Sequence, residues 1–214
     1  MAIVVAIDGP SGAGKSSTSR AIAQRAGWNY LDTGALYRGV AWLALEKNVE
    51  SAQDILKELG RAPLRFVANP ISPSIFVGDT DVTEHIRSDE VTNSVSRISA
   101  MPEIRAELLT VQRTMISDAE RGIVVEGRDI GSVVLPNADF KIYITASDEA
   151  RAKRRAAQTN ADEKLVLEAQ KIRDSLDTNR SVSPLVIPKN AVVLDNSDLD
   201  FDQSVDRFIQ IVSA

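Results

Sequence analysis

The sequence predicts an α/β fold built on a parallel sheet covered on both faces, and three observations carry that prediction. Short runs of apolar and β-branched residues recur along the chain, continuous rather than alternating, as strands buried on both faces require. Helical patterns separate these runs, in the β-α-β order that parallel pairing needs. A glycine-rich turn joins the first run directly to the first helical pattern.

The elements follow in order. "AIVVAI" (Ala2 to Ile7) is the first strand, and a helix from Lys15 to Ala26 is stopped by Gly27. "WNYLD" (Trp28 to Asp32) is a weaker strand signal, followed by a helix from Gly34 to Lys47 with Asp32 or Thr33 at its N-cap. "GIVVE" (Gly122 to Glu126), "FKIYIT" (Phe140 to Thr145) and "AVVLD" (Ala191 to Asp195) complete the buried strands. Helices are expected from Ser147, as N-cap, to about Gln158, and from about Phe201 to Ile211. Two segments interrupt the pattern. Arg61 to Asp118 carries two short strands in "PLRFVANPISPSIFVGD", turned by Asn-Pro and Ser-Pro and followed by polar helical sequence, which predicts an inserted lobe. Arg151 to Arg180 is strongly charged and helical, and "SVSPL" ends it.

Composition narrows the classes of function. The 214 residues suffice for a sizeable core, and 43% apolar with 26% charged residues is ordinary for a globular chain. The 25 basic against 30 acidic side chains, net −5, argue against a broad nucleic-acid or membrane-binding surface, while leaving room for a local basic pocket. Without cysteine, thiolate catalysis and disulfide scaffolds are excluded, and one histidine rules out a histidine metal cluster. The opening apolar run reaches Asp8 too early for a signal peptide, and no run approaches membrane-spanning length, so a cytoplasmic protein is expected.

"GPSGAGKS" (Gly9 to Ser16) matches the phosphate-binding pattern G-x-x-x-x-G-K-[ST] without a mismatch, between a strand and a helix as that pattern demands. Its glycines let backbone N–H groups converge on a phosphate, and the helix N-terminus adds partial positive charge. Lys15 would reach the terminal phosphates, and the Ser16 hydroxyl would join the shell of a magnesium ion. A nucleoside triphosphate is implied. No N-K-x-D guanine motif follows, which weighs against a GTPase switch.

The acceptor must be read elsewhere, and arginines point to it. In "GIVVEGRDIGSVVLP" a buried strand ends on Glu126, Gly127, Arg128 and Asp129, where charges are costly unless paired or used. Arg38 lies one turn into the second helix. Arg173, Asp177 and Arg180 fall at i, i+4 and i+7, and Arg151, Arg154 and Arg155 at i, i+3 and i+4. Such faces are usually solvated surface; beside a phosphate loop they suit phosphoryl transfer between two anions, which needs cations more than a base. A nucleoside monophosphate acceptor would already be largely dianionic at neutral pH, with a second pKa of about 6. His85 reads as a surface residue of the lobe rather than a base. The residues alone leave open a small kinase acting on UMP, AMP or shikimate, or a nucleotide-binding switch that transfers nothing.

Taken together, "AIDGPSGAGKSS", "LDTGALYR", "EGRDIGSVVLPNADFKIYITAS" and "RDSLDTNRSVSPL" resemble bacterial cytidylate kinase, in the family's order and over nearly the whole chain. The resemblance implies a P-loop kinase fold of the nucleoside monophosphate kinase type, with a five-stranded parallel sheet and helices on both faces. One domain spans residues 1–214, with a core of 1–60, 119–150 and 181–214, a monophosphate-binding lobe at about 61–118 and a helical lid at about 151–180. It implies transfer of the γ-phosphoryl group of ATP to CMP or dCMP with Mg2+, by a protein that leans monomeric. On this resemblance Gly9, Pro10, Ser11, Gly12, Ala13, Gly14, Lys15, Ser16 and Ser17 bind ATP, with Ser16 toward the metal. Thr33, Tyr37, Arg38, Ser96, Arg105, Arg128, Asp129, Arg173, Asp177 and Arg180 lie at CMP, and Lys15, Arg128, Arg154 and Arg180 are the candidate catalytic cations. Asp129 is the expected reader of the base: a carboxylate accepts from the cytosine N4 amino group and repels the uracil oxygen.

Lys15→Ala is expected to lower turnover by about two orders of magnitude or more, because it removes charge stabilisation in the transition state. An ADP-release assay, with circular dichroism to verify folding, checks this; near-normal turnover would overturn the loop assignment.

Overall fold

The computed structural model describes residues 2–212. In chain order, β1 (Ile3–Asp8) leads through the glycine loop into α1 (Lys15–Ala26), and β2 (Asn29–Asp32) into α2 (Thr33–Glu46) and α3 (Ala52–Arg61). The hairpin β3 (Leu64–Val67) and β4 (Ser74–Val77) is extended by β5 (Thr80–Asp81), then by a short 3-10 turn at His85–Arg87, α4 (Asp89–Ser99) and α5 (Pro102–Ser117). β6 (Gly122–Glu126) ends at a π turn (Ile130–Val134), β7 (Phe140–Thr145) leads to α6 (Asp148–Thr159) and α7 (Glu163–Asn179), and β8 (Val192–Asp195) precedes α8 (Phe201–Val212).

β1, β2, β6, β7 and β8 form the five-stranded parallel sheet in the order β2-β6-β1-β7-β8. The continuous apolar runs have the cause expected of them. Val5, Ile7 and Val124 face an apolar cluster with Ile22 of α1 and Phe208 of α8, whereas Ala6, Ile123 and Val125 face a second cluster with Leu36 and Val40 of α2. Asp32 caps α2 by accepting from the Ala35 N–H at 3.1 Å, and Ser147 caps α6 by accepting from Ala150 at 3.2 Å.

Two local expectations change. α3 was not expected; its Ile55 and Leu59 supply a narrow apolar edge in a charged stretch. The helix expected to end near Gln158 closes at Thr159, where Asn160 adopts φ 51°, and Asp162 caps a second helix through the rest of the charged segment. Arg180 lies beyond the end of α7 with φ −65° and ψ 143°, so it does not share a helical face with Arg173 and Asp177.

The inserted segment has a three-stranded sheet, β3-β4-β5, but no separate core. Its Ile75, Ile86, Val95, Ile98 and Leu108 belong to the same cluster as Leu36 and Leu43 of α2. The sheet meanwhile sets the site's position. Ile7 pairs with Glu126, Asp32 with Glu126 and Asp8 with Tyr143, so the turns after β1, β2 and β6 open at one carboxyl edge.

Candidate active site

The glycine loop curls tightly against β7. Gly9 has φ +145°, and a Cβ there would fall 2.0 Å from the Ile144 carbonyl oxygen, so only glycine fits. Lys15 is folded into the loop and donates from Nζ to the Pro10 carbonyl at 2.7 Å. Burial, and then the Arg128 charge, hold its ammonium well below the usual lysine range. Asn196 Nδ2 supports the loop from behind through the Ala13 carbonyl at 3.0 Å. Ser16 and Ser17 are exposed at the start of α1, and Ser17 Oγ donates to the Gly14 carbonyl at 2.9 Å.

The α6–α7 hairpin rests on this loop. Arg151 donates to the Ser11 carbonyl at 2.7 Å and to Asp174 at 2.6 Å, and Asp174 accepts weakly from the Ser11 N–H at 3.3 Å. Gln170 packs against Gly12. Arg154 is engaged elsewhere: it binds Asn196 Oδ1 at 2.9 Å and the carbonyls of Asn196 at 2.5 Å and Leu199 at 3.2 Å. To reach a phosphate it would have to leave them.

Across the crevice, the sequence-selected charges meet one another. Asp129 forms a buried ion pair with Arg105, and Arg180 Nη2 lies 4.0 Å from its other oxygen. Asp177 accepts from Arg128 Nε at 2.9 Å and lies 3.9 Å from Arg180. The Arg105 guanidinium stands 5.3 Å over the Tyr37 ring. Arg38 donates to the Ile86 carbonyl at 3.1 Å and to Thr92 Oγ1 at 2.9 Å. Ser96 lies one turn along α4 from Thr92, on the same face and half-buried. Thr33 has its hydroxyl committed to the Glu126 carbonyl at 2.8 Å.

The cations outnumber their partners. Burial, and then Arg173, push Arg38 down to about 10, and burial, then Arg128, lowers Arg173. Arg173 Nε and Arg180 Nη2 are buried without a hydrogen bond. Like charges held together with unspent donors form a socket for a multivalent anion. His85 is exposed beside Trp42, with 6.4 Å between ring centres.

Two residues of the edge escaped the sequence reading as site residues. Glu126 is buried and takes a 2.5 Å hydrogen bond from Tyr30 on one oxygen, while its other oxygen has no partner. Burial, and then Asp32, raise its carboxyl, and burial raises the Tyr30 hydroxyl. Asp8 is the other. Both are carboxylates at the carboxyl ends of buried parallel strands, a signal the sequence does contain.

The donor set fits a magnesium ion. One Glu126 oxygen is without a partner, and the Ser16 hydroxyl and Asp32 both act on the Glu126 carboxyl. Among the described residues no group of three or more His, Asp or Glu side chains that could hold a metal ion converges.

A glycine loop under the carboxyl edge of a five-stranded parallel sheet, facing an arginine socket, defines a P-loop phosphotransferase. The fold agrees with a solved gluconokinase from Sinorhizobium meliloti, at TM-score 0.51 and 15% identity, covering 99% of this chain and 91% of that one. The family is narrower. The Cytidylate kinase family model matches residues 5–214. A cytidylate kinase of Streptomyces avermitilis is 45% identical over 214 residues, covering 99% of this chain and 93% of that protein. One from Rhodococcus jostii is 46% identical over 218 residues, covering 99% and 95%. The chain belongs to the cytidylate kinase family.

A Cβ at Gly127 would lie 2.5 Å from Thr33 Oγ1 and 2.7 Å from Ile130 Cδ1, displacing the turn that carries Arg128 and Asp129. Gly127→Ala is therefore expected to lower kcat/KM by about 100-fold, the scale of an ångström-sized misplacement, while thermal unfolding stays cooperative. Steady-state kinetics with a melting curve checks it.

Proposed function

We infer that this protein transfers the γ-phosphoryl group of ATP to CMP or dCMP, giving ADP and CDP or dCDP. The observation that carries the reading is the arginine socket facing the phosphate loop, with donors of Arg173 and Arg180 unspent and Asp129 at its edge. An acceptor phosphate oxygen attacks the γ-phosphorus, the β–γ bridging bond breaks, and its electrons leave with ADP. The acceptor is already anionic near neutrality, so no side chain removes a proton. Lys15, Arg128 and Arg180 offset the charge gathered between donor and acceptor, in a crevice where fixed cations act strongly.

Residues 61–118 serve in this reading as the monophosphate-binding lobe and 151–180 as the lid, whose Arg151 and Asp174 already touch the loop. Arg154 steadies the 196–199 segment and joins catalysis only after releasing it. Mg2+, held through Ser16 with Glu126 and Asp32 nearby, supplies charge neutralisation on the ATP phosphates when bound. Asp129, presented between Arg105 and Arg180, accepts from cytosine N4 and disfavours uracil. Among the described residues no helix is long and apolar enough to cross a membrane.

ADP production with ATP, Mg2+ and each of CMP, dCMP, UMP and AMP tests the reading. CMP and dCMP are expected to lead by about 10-fold or more, given a site built around a polar group of the base, and Asp129→Ala to erase the CMP preference over UMP. Equal rates with all acceptors, or none with CMP, would overturn it.

A further inference from the structure

One buried carboxylate joins the two loops and has no part in the chemistry above. Asp8 ends β1, is fully buried, and immediately precedes Gly9. Its side chain bonds to the neighbouring strand's turn, while the Lys15 ammonium lies near enough to feel its charge. Oδ1 accepts from the Ile130 N–H at 2.6 Å and Oδ2 from the Gly131 N–H at 2.7 Å. These amides open the π turn, where backbone donors lack partners within the turn itself. At the other end of the same stretch, the Gly127 N–H donates to the Ile7 carbonyl at 2.9 Å. Arg128 and Asp129 thus stand between two anchors, both on the last residues of β1.

A carboxylate is an expensive choice for this place. Burial pushes Asp8 up to about 6 even against two amide donors. A charged, two-pronged acceptor gives in return two short charge-assisted bonds and one fixed geometry. The Gly131 backbone comes so close that a Cβ there would lie 3.2 Å from Asp8 Oδ2 and 3.0 Å from Pro188 Cγ.

We propose that Asp8 is a positioning residue: by gripping the Ile130 and Gly131 amides it sets where Arg128 and Asp129 stand relative to the phosphate loop, and so governs acceptor affinity and base choice. This rests on the CMP kinase reading and deepens it. A carboxylate that merely satisfied two amides would contribute stability and leave substrate preference alone. A positioning carboxylate acts selectively on the acceptor side, since Lys15 and the loop amides keep their own supports.

Asp8→Asn tests it, because the amide turns an N–H toward one of the two donors. The KM for CMP is expected to rise by about 10- to 100-fold, the range seen when a supporting hydrogen bond is lost or a reacting group is misplaced. The CMP-over-UMP ratio of kcat/KM should fall by about 10-fold, while ATP affinity, titrated without acceptor, stays within about 3-fold. An unchanged base ratio and KM, or equal losses for ATP and CMP, would overturn the proposal. Should Asp8→Asn fail to fold, Gly131→Ala crowds the same grip without removing the charge; the same selective loss supports the proposal, and wild-type kinetics overturn it. Wild-type protein in the same assay separates the two ideas. Inactivity toward CMP defeats the kinase reading and this inference with it, whereas an active wild type beside an unaltered variant defeats only the role of Asp8.

Discussion

β1 and β6 are neighbours in the sheet, and their parallel pairing sets Ile7 opposite Glu126. The turn leaving one strand is the phosphate loop, and the turn leaving the other carries Arg128 and Asp129. Adjacent strands lie less than about 5 Å apart, so the two turns emerge almost in contact. Side chains alternate faces, and a slip of one residue would drive Val124 into the α2 cluster and Val125 into the cluster of α1 and α8. The packing that fixes the sheet therefore also fixes the separation between the two halves of the crevice.

Within that crevice, charge rather than apolar contact holds the shape. Arg105 with Asp129, Arg128 with Asp177, and Arg180 near both carboxylates form a chain of alternating sign. Buried ion pairs contribute little net stability once desolvation is counted, so their value lies in orientation. Carboxylates hold the guanidinium groups in fixed orientations, which on the proposed reading would spare the reorganisation that water or loose side chains require. Tyr37 and Glu126 extend the same principle to an aromatic face and to a tyrosine hydroxyl.

The sequence made the strands legible because burial on both faces leaves continuous apolar runs. It also exposed the glycine loop, whose spacing has a narrow physical purpose, and the Ser147 cap. α3 was hidden because only Ile55 and Leu59 mark its buried edge. Helical spacing misled at Arg180, where the chain has already left the helix, yet Arg180 approaches Asp129 by a different backbone path. Asp8 and Glu126 stand out in the sequence as carboxylates at strand ends, but their partners could not be read, since these depend on which strands are neighbours. Strand order is decided by packing across the sheet, and no local pattern records it.

The inserted segment's lack of a private core has a consequence for exchange between relatives. Ile75, Ile86 and Leu108 pack on Leu36 and Leu43 of α2, and α2 also bears Tyr37 and Arg38. A transplant cut at residues 61 and 118 would strip α2 of its apolar cover and separate Arg38 from the Ile86 carbonyl and Thr92 that hold it. The unit that packs together begins at Thr33, so on the proposed reading acceptor preference would travel with a sheet-side helix, not with the insert by itself.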